Sequence, residues 1–232
     1  MTSDRWLATI GVLVALPGFF ELFLTGRQTE AALICLIAFI ILCSAFFVRY
    51  IIKRPAFSAK RTHVKLQLDK LGKFCKVTKR YRLKPNHTHA DRLIIRHNGG
   101  RGGQQDFEWN GDATIVEVTP IGVTSDYVAT IKFSPSVSRG QWFEGELSYI
   151  LVDSFTEKRE FFIHQVEFAA SIVTIEIRFP PDRPCAGAQI KRKYAASEEP
   201  VEGLELKDGG KLIEMTVRRP TVGSEYWIYW NW

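Results

Sequence analysis

Two long apolar stretches near the amino terminus are the feature that most limits what this chain can fold into. Residues 6–24 carry one ionisable side chain, Glu21, and residues 31–52 carry Arg49 close to their end. A helix rises about 1.5 Å per residue, so each stretch is long enough to cross a hydrocarbon core of about 30 Å. Because only the short segment TGRQTE separates them, we predict a two-helix transmembrane hairpin within residues 1–54.

The positive charges around the two stretches predict the orientation of the hairpin. Arg5 precedes the first stretch, and Lys53, Arg54 and Lys60 follow the second, whereas the connecting turn holds only Arg27. Cytoplasmic flanks of membrane spans are enriched in Lys and Arg, so both termini are predicted to be cytoplasmic. A cleaved signal peptide is the alternative for the first stretch, but no small-residue cleavage site follows it.

Three side chains inside the hairpin are candidates for a role in the membrane. Pro17, which Gly18 follows, predicts a kink in the first helix, and Glu21 lies near the outer end of that helix. An intramembrane carboxylate is a candidate pore-lining group in an oligomer, and the alternative is that Glu21 reaches the outer headgroups. Arg49 is predicted to extend its guanidinium group to the cytoplasmic face.

The charge of the chain is distributed unevenly after the second stretch. Residues 53–103 hold 15 Lys and Arg against 2 acidic residues, whereas residues 104–232 hold 13 against 20. Four apolar side chains in the basic part have helical spacing: Val64, Leu68, Leu71 and Cys75. We therefore predict a basic amphipathic connector helix over residues 55–80 that contacts anionic lipid. Nucleic-acid binding would use the same charges and is the alternative.

Residues 81–232 have the pattern of an all-β domain. In residues 171–179, Val173, Ile175 and Ile177 alternate with polar side chains, as in a strand with one buried face. The predicted strands are 92–97, 113–119, 126–133, 142–152, 159–168, 171–179, 188–194, 211–218 and 225–230. Their spacing predicts an antiparallel β-sandwich or barrel on the cytoplasmic side of the membrane.

The segment HTHAD has the sharpest metal-like pattern in the chain. In a strand, His87, His89 and Asp91 would share one face, and H-x-H-x-D resembles the metal motif of metallo-β-lactamase-like hydrolases. That motif continues with a second histidine after the aspartate, where this chain has Arg92. We predict a polar turn here, and no metal site.

A glycine-rich loop is the candidate site for an anionic ligand. Gly99 and Gly100 supply accessible backbone amides, and Arg96 and Arg101 lie on either side of them. Guanidinium groups beside free amides suit a phosphate. The Lys-Ser/Thr pair that ends a P-loop is missing, so the pattern does not support a nucleotide hydrolase. A glycine-rich hairpin loop without a ligand is the alternative.

The carboxyl-terminal segment EYWIYWNW predicts a last strand with two aromatic faces. Tyr226, Ile228 and Trp230 fall on one face, and Trp227 and Tyr229 on the other. Burial is the expected role of such a strand, and one aromatic face has the chemistry to stack a nucleobase.

No motif in the chain predicts catalysis. The sequence contains no G-x-S-x-G, H-E-x-x-H or C-x-x-C and no kinase signature. We therefore predict a protein that is not an enzyme, with no catalytic residues and no cofactor.

Two hydrophobic helices, a basic connector and a β-rich domain resemble the two-transmembrane, β-strand-rich effectors of bacterial antiphage signalling, such as those of cyclic-oligonucleotide (CBASS) systems. The resemblance implies a bacterial inner-membrane protein with both termini cytoplasmic. It further implies that the β domain binds a cyclic nucleotide, that the chain forms homo-oligomers, and that the spans then disrupt the membrane. The implied partners are the lipid bilayer, a cyclic nucleotide and further copies of the chain, and not a nucleic-acid polymer.

Two other functions are open on the same residues. One is a constitutive membrane-anchored scaffold whose β domain binds a protein partner. The other is a membrane-bound hydrolase that uses His87, His89 and Asp91.

Overall fold

The computed structural model describes Ala38, Phe39, Ile41 and residues 56–87, 89–97, 102–121 and 126–232. Regular structure in these residues is β-strand, apart from the helical residues Ala38, Phe39 and Ile41 and one short 3-10 helix, Asp208–Gly210. The strands are β1 (Phe57–Leu68), β2 (Phe74–Pro85), β3 (His89–His97), β4 (Gln104–Asn110), β5 (Ala113–Pro120), β6 (Tyr127–Ser138), β7 (Phe143–Val152), β8 (Arg159–Gln165), β9 (Ala169–Arg178), β10 (Gly187–Tyr194), β11 (Ser197–Pro200), β12 (Leu204–Lys207), β13 (Leu212–Arg218) and β14 (Glu225–Asn231).

The strands form three sheets. The largest has the order β12-β13-β9-β1-β2-β7-β4, the second β11-β10-β14-β8 and the third β3-β6-β5. Neighbouring strands are antiparallel except for β1 and β9, which are parallel with Val64 opposite Ile175. A parallel pair needs a long connection, and here β2 to β8 all lie between its two strands in the chain.

One hydrophobic cluster takes side chains from all three sheets. Leu66 of β1, Ile131 of β6 and Ile228 of β14 are fully buried in it. Trp230 of β14 is also buried, with its ring centroid 5.2 Å from that of Phe155. Burial of this apolar surface is the main force that holds the sheets together.

The all-β prediction is confirmed in part. Each of the nine predicted strands overlaps an observed strand, with ends that differ by a few residues. The prediction missed five strands, β1, β2, β4, β11 and β12, and the largest sheet is mixed rather than antiparallel. The alternation in β9 is as predicted, since Val173, Ile175 and Ile177 are all buried.

The predicted connector helix is wrong, because residues 57–85 form the antiparallel hairpin β1–β2. The apolar stripe that suggested a helix did not include Leu66 and Val77. In a helix, these two apolar side chains would have faced solvent together with the lysines. As strands, both segments bury every second residue. Between them Gly72 has φ +71°, and its N–H bonds to the Asp69 carbonyl oxygen at 3.3 Å in the turn.

The predicted fold class and location are also corrected. Within the described residues, no helix is long and apolar enough to cross a bilayer. The predicted spans 6–24 and 31–52 lie outside the described residues, apart from Ala38, Phe39 and Ile41. The architecture found is all-β, so the membrane-anchored fold class and the inner-membrane location with cytoplasmic termini are not carried forward.

Candidate ligand-binding site

The outer surface of the β1–β2 hairpin is strongly basic. Strand alternation turns the apolar side chains of both strands inward and the cations outward, with Lys79 as the exception. A register shift between Ala59 and Arg61 leaves Lys60 and Arg61 both exposed. We call this surface the basic face, and its cations are Lys60, Arg61, Lys65, Lys76, Arg80, Arg82 and Lys84.

Carboxylates neutralise only part of the basic face. The ion pairs on this surface are Arg80 with Glu146, Arg82 Nε with Glu144 Oε1 at 3.5 Å, and His63 Nε2 with Glu176 Oε1 at 2.9 Å. The cations that form no ion pair in the described part of the chain are Lys60, Arg61, Lys65, Lys76 and Lys84. Unneutralised cations on one surface attract and concentrate anions.

An exposed tryptophan lies at one end of the basic face. Trp142 precedes β7 and is 39% exposed. Lys84 Nζ lies 5.0 Å from the centre of its ring, and Arg82 Cζ lies 5.9 Å from it. Cations within about 6 Å of an indole face are attracted to it. The Trp142 ring therefore has two cations beside it and is still partly exposed to solvent.

A pocket of about 370 Å³ opens next to Trp142. Its aromatic wall consists of Trp109, Phe133 and Phe143, and its polar groups include Asp112, Gln141 and Glu144. Small-molecule sites commonly have volumes of about 300–1,000 Å³ and this mixture of apolar walls and few polar groups. We call it the Trp109 pocket. Glu144 connects it to the basic face, because the same carboxylate pairs with Arg82.

A glycine on β7 fixes the aromatic wall of the pocket. The ring of Trp109 lies against the backbone of Gly145, so closely that a Cβ at this position would overlap the indole. Trp109 lies opposite Leu147 in the register of β4 and β7. Trp109 is therefore held on the edge strand of the largest sheet and not on a free loop, while Phe143 lies on the neighbouring β7 and Phe133 on β6 of the third sheet.

A second aromatic surface, on the outer face of β14, is already filled by its own side chains. The rings of Phe161 and Trp227 are stacked, with centroids 5.3 Å apart. Lys193 Nζ lies 3.6 Å from the centre of the Trp227 ring. Phe161 belongs to β8 and Lys193 to β10, and these strands flank β14 on opposite sides. The two side chains therefore cover both faces of Trp227. This surface leaves less room for a stacked ligand than Trp142 does.

A cluster of buried polar groups lies inside the domain. Lys79 Nζ is 3.3 Å from His97 Nδ1 and 4.0 Å from Glu167 Oε1. His97 Nε2 and His164 Nδ1 are buried and have no hydrogen-bond partner among the described residues. The adjoining cavity, of about 10 Å³, has room for about one water molecule. The cluster is therefore too enclosed to hold a larger ligand.

Burial shifts the pKa values of all four groups toward their neutral forms. Burial raises the pKa of Glu167 to about 7, against the lowering effect of the Lys79 charge. Burial likewise lowers the pKa of Lys79, and Glu167 offsets part of that change. Burial and then the Lys79 charge lower the pKa of His164 to about 3 and the pKa of His97 well below its usual value. Both histidines are neutral in the folded protein near neutral pH.

Acidification should destabilise the domain through His164. A base with a depressed folded-state pKa contributes stability in full above its unfolded-state pKa of about 6.5, and this contribution falls as the pH falls below it. We expect the wild type to lose up to about 1.4 kcal/mol per pH unit relative to His164→Leu between about pH 6.5 and 4.5. The measurement is urea unfolding of both proteins over this range.

Two features make this comparison specific. Glu167 contributes in the opposite direction, since its raised pKa favours the folded state below about pH 7, but it is present in both proteins. His87→Leu, at an exposed histidine, should have a profile parallel to that of the wild type. Parallel profiles for wild type and His164→Leu would contradict the neutral, buried state of His164.

The structure describes few of the site residues that were predicted from the sequence. Arg96 lies on β3 with an exposed side chain, and its charge helps to lower the pKa of Glu167. The other residues of the predicted anion loop, Gly99, Gly100 and Arg101, lie outside the described residues. So do the predicted membrane residues Pro17, Glu21 and Arg49. These predictions remain untested.

The exposure of two residues in the histidine segment, His87 and Asp91, can be described. His87 is exposed just before β3. Asp91 is exposed within β3, and its Oδ2 lies 3.4 Å from Arg92 Nη2. Among the described residues, no three or more His, Cys, Asp or Glu side chains are grouped so that they could hold a metal ion.

Three solved structures resemble this chain at low identity, each with a TM-score under 0.5. No protein-family model and no curated protein matches the chain. A candidate protease from Parabacteroides distasonis is similar at TM-score 0.48 and 11% identity, over 76% of this chain and 40% of that one. Yeast LTA4 hydrolase is similar at TM-score 0.47 and 12% identity, over 76% and 29%. The M1 zinc metallopeptidase of Deinococcus radiodurans is similar at TM-score 0.44 and 10% identity, over 75% and 42%.

These likenesses correct one prediction without supplying an activity. The chain was predicted not to be an enzyme, whereas the solved structures that it resembles are peptidases, so that prediction is withdrawn. The chain spans less than half the length of each of these proteins. At identities near 10%, such a likeness carries no reaction over to this chain.

Proposed function

We propose that Pro55–Trp232 is a nucleotide-binding domain whose ligand places its phosphates on the basic face. The observation that carries the proposal is a surface of cations without acid partners in the described structure, one of which, Lys84, lies beside the exposed indole of Trp142. Arg61 and Lys84 supply charge, and Trp142 supplies a stacking surface beside Lys84. A nucleotide needs the charge for its phosphate and the stacking surface for its flat base.

The arrangement of the cations suits a phosphate better than a carboxylate-bearing protein surface. Arg61 lies directly opposite Arg82 across the β1–β2 ladder, so two guanidinium groups come from neighbouring strands. Each has several N–H donors in a fixed plane that matches phosphate oxygens. Lys84 adds a point charge beside Trp142. The ligand is therefore expected to carry at least one phosphate next to its base.

The proposal retains the signal-binding part of what the resemblance to antiphage effectors implies. Cyclic nucleotides have the required chemistry, and ligand-driven homo-oligomerisation is the matching response. A ligand favours an assembled state only through its higher affinity for that state. A protein-binding scaffold remains the alternative, and it predicts no nucleotide affinity.

Titration of the full chain with cyclic di-GMP and cyclic di-AMP, followed by calorimetry, tests the proposal. We expect at least one to bind, with an affinity that falls steeply from about 50 to about 200 mM salt because phosphate contacts release counterions. Arg61→Gln and Lys84→Gln should each weaken binding about tenfold or more, since a charge-assisted hydrogen bond contributes about 1.5–3 kcal/mol. Trp142→Ala should weaken it by a similar factor through lost stacking.

The matched control is Lys211→Gln, which removes the same charge from an exposed lysine between the 3-10 helix and β13. It should bind like the wild type. Thermal unfolding of each variant without ligand shows whether the fold is kept. The absence of binding to both dinucleotides, or equal weakening by Lys211→Gln and Arg61→Gln, would contradict a site on the basic face.

A further inference from the structure

We propose that the Trp109 pocket is the base-binding subsite of this site and that it selects guanine. The inference rests on the proposed nucleotide-binding function and assigns the base that the ligand carries. It is drawn from the position of the pocket, from the hydrogen-bonding groups that remain free in it, and from the edge of the base that those groups can recognise.

The pocket is placed so that one ligand can occupy it and the basic face together. Glu144 lines the pocket, and its Oε1 lies 3.5 Å from Arg82 Nε on the basic face. Trp142 is the residue between Gln141 and Phe143, which both line the pocket. A base inside the pocket therefore leaves its sugar and phosphate directed toward Arg82 and Trp142.

The charges of the pocket decide which end of a nucleotide enters it. Asp112 and Glu144 are both acidic, and the pocket contains no Lys or Arg among its described lining. Two carboxylates repel a phosphate, whereas the cations outside attract it. The base must therefore point inward, between the aromatic rings of Trp109, Phe133 and Phe143, where stacking is favourable.

Asp112 is the acidic side chain of the pocket lining that remains free to recognise the base. Arg82 already engages Glu144, and Gln141 Oε1 accepts a hydrogen bond from Ser138 N at 3.4 Å. Asp112 is exposed in the turn after β4 and has no hydrogen bond or ion pair in the described structure. An ionised carboxylate only accepts hydrogen bonds, and its two oxygens can accept two of them side by side.

Guanine is the base that matches a pair of acceptors. Its N1–H and N2–H donors point in the same direction and are spaced to meet both oxygens of one carboxylate. Adenine presents an acceptor at N1, which would face a carboxylate oxygen, and hypoxanthine has N1–H but lacks the second donor. Sites that hydrogen-bond a ligand group reject analogues that lack it, because the polar group of the site is then left unpaired.

The test compares cyclic di-GMP, cyclic di-IMP and cyclic di-AMP on the full chain by calorimetry. We expect cyclic di-GMP to bind about tenfold or more tightly than cyclic di-AMP, with cyclic di-IMP in between. Asp112→Asn should reduce this preference to less than about threefold, mainly by weakening cyclic di-GMP, because an amide offers one acceptor and one donor. Asp208→Asn, an exposed acid next to β12, is the control and should keep the preference.

The outcomes separate this inference from the proposed function. Equal binding of all three dinucleotides, or an unchanged preference in Asp112→Asn, overturns guanine selection and leaves the nucleotide site standing. Preference for cyclic di-AMP overturns it as well. No binding of any of the three, with folded protein confirmed by thermal unfolding, overturns both proposals together.

Discussion

Glu167→Gln should lower the free energy of unfolding by about 3–5 kcal/mol, because it removes one partner of a buried ion pair. Lys79 is almost inaccessible, and Glu167 is the carboxylate nearest to its ammonium group, at 4.0 Å. The other close group, His97, is a neutral acceptor that stabilises a buried charge less than a carboxylate does. Urea unfolding at about pH 8, above the raised pKa of Glu167, measures the effect.

The double variant Lys79→Met/Glu167→Gln distinguishes loss of the pair from a general loss of packing. Replacing both charges of a buried pair by groups of similar volume is often neutral or stabilising. We therefore expect the double variant to recover most of the loss, which gives a large non-additive coupling between the two sites. Glu202→Gln, at an exposed position, should change stability by less than about 0.5 kcal/mol. Additive losses at residues 79 and 167 would refute the coupling.

Gly72→Ala should destabilise the domain by about 3–5 kcal/mol, among the largest effects of any single methyl group added to the described residues. Gly72 has φ +71°, which costs a residue with a Cβ about 1 kcal/mol. The new Cβ would also overlap the carbonyl oxygen of Phe155. The Gly72 oxygen accepts a hydrogen bond from Phe155 N at 3.0 Å, and the shift that relieves the overlap would break this bond.

Gly140→Ala is the matched control. Gly140 has a similar φ of +78°, but a Cβ at this position would meet no atom within 4 Å. It should therefore show the backbone cost alone, about 1 kcal/mol. Thermal and urea unfolding of both variants give the difference. Equal losses at the two glycines would show that the close approach of Phe155 does not matter to stability.

Local alternation was enough to predict most of the strands, and it failed where a second pattern fitted the same residues. Strands such as β9 have one fully buried face, so period-two alternation is unambiguous there. In residues 57–77, four apolar side chains also fit a helical stripe. The deciding signals were Leu66 and Val77, which continue the alternation, and Gly72, which lies in the turn between the two strands. The edge strand β11 is exposed along its whole length and has no apolar pattern to detect, and β4 has only two half-buried apolar side chains, Phe107 and Trp109.

The candidate site could be predicted only in its charge. The excess of Lys and Arg in residues 53–103 is visible in the sequence, but its common surface depends on the strand assignment. Trp142 and the Trp109 pocket join it through the pairing of β2 with β7, where Arg82 lies opposite Glu144. No local pattern reports a contact between residues so distant in the chain. The burial of Lys79 could not be predicted for the same reason, since only the strand register shows that this side chain points inward.

The position of β1 has a consequence for the order in which this protein can fold as it is synthesised. The ribosome completes β1 early, yet one of its two neighbours, β9, ends only at Arg178. Until then, the β1 edge that β9 will cover stays open, and nascent chains on one messenger can pair through it. Pauses in translation before this point should therefore promote aggregation, whereas pauses after it should not.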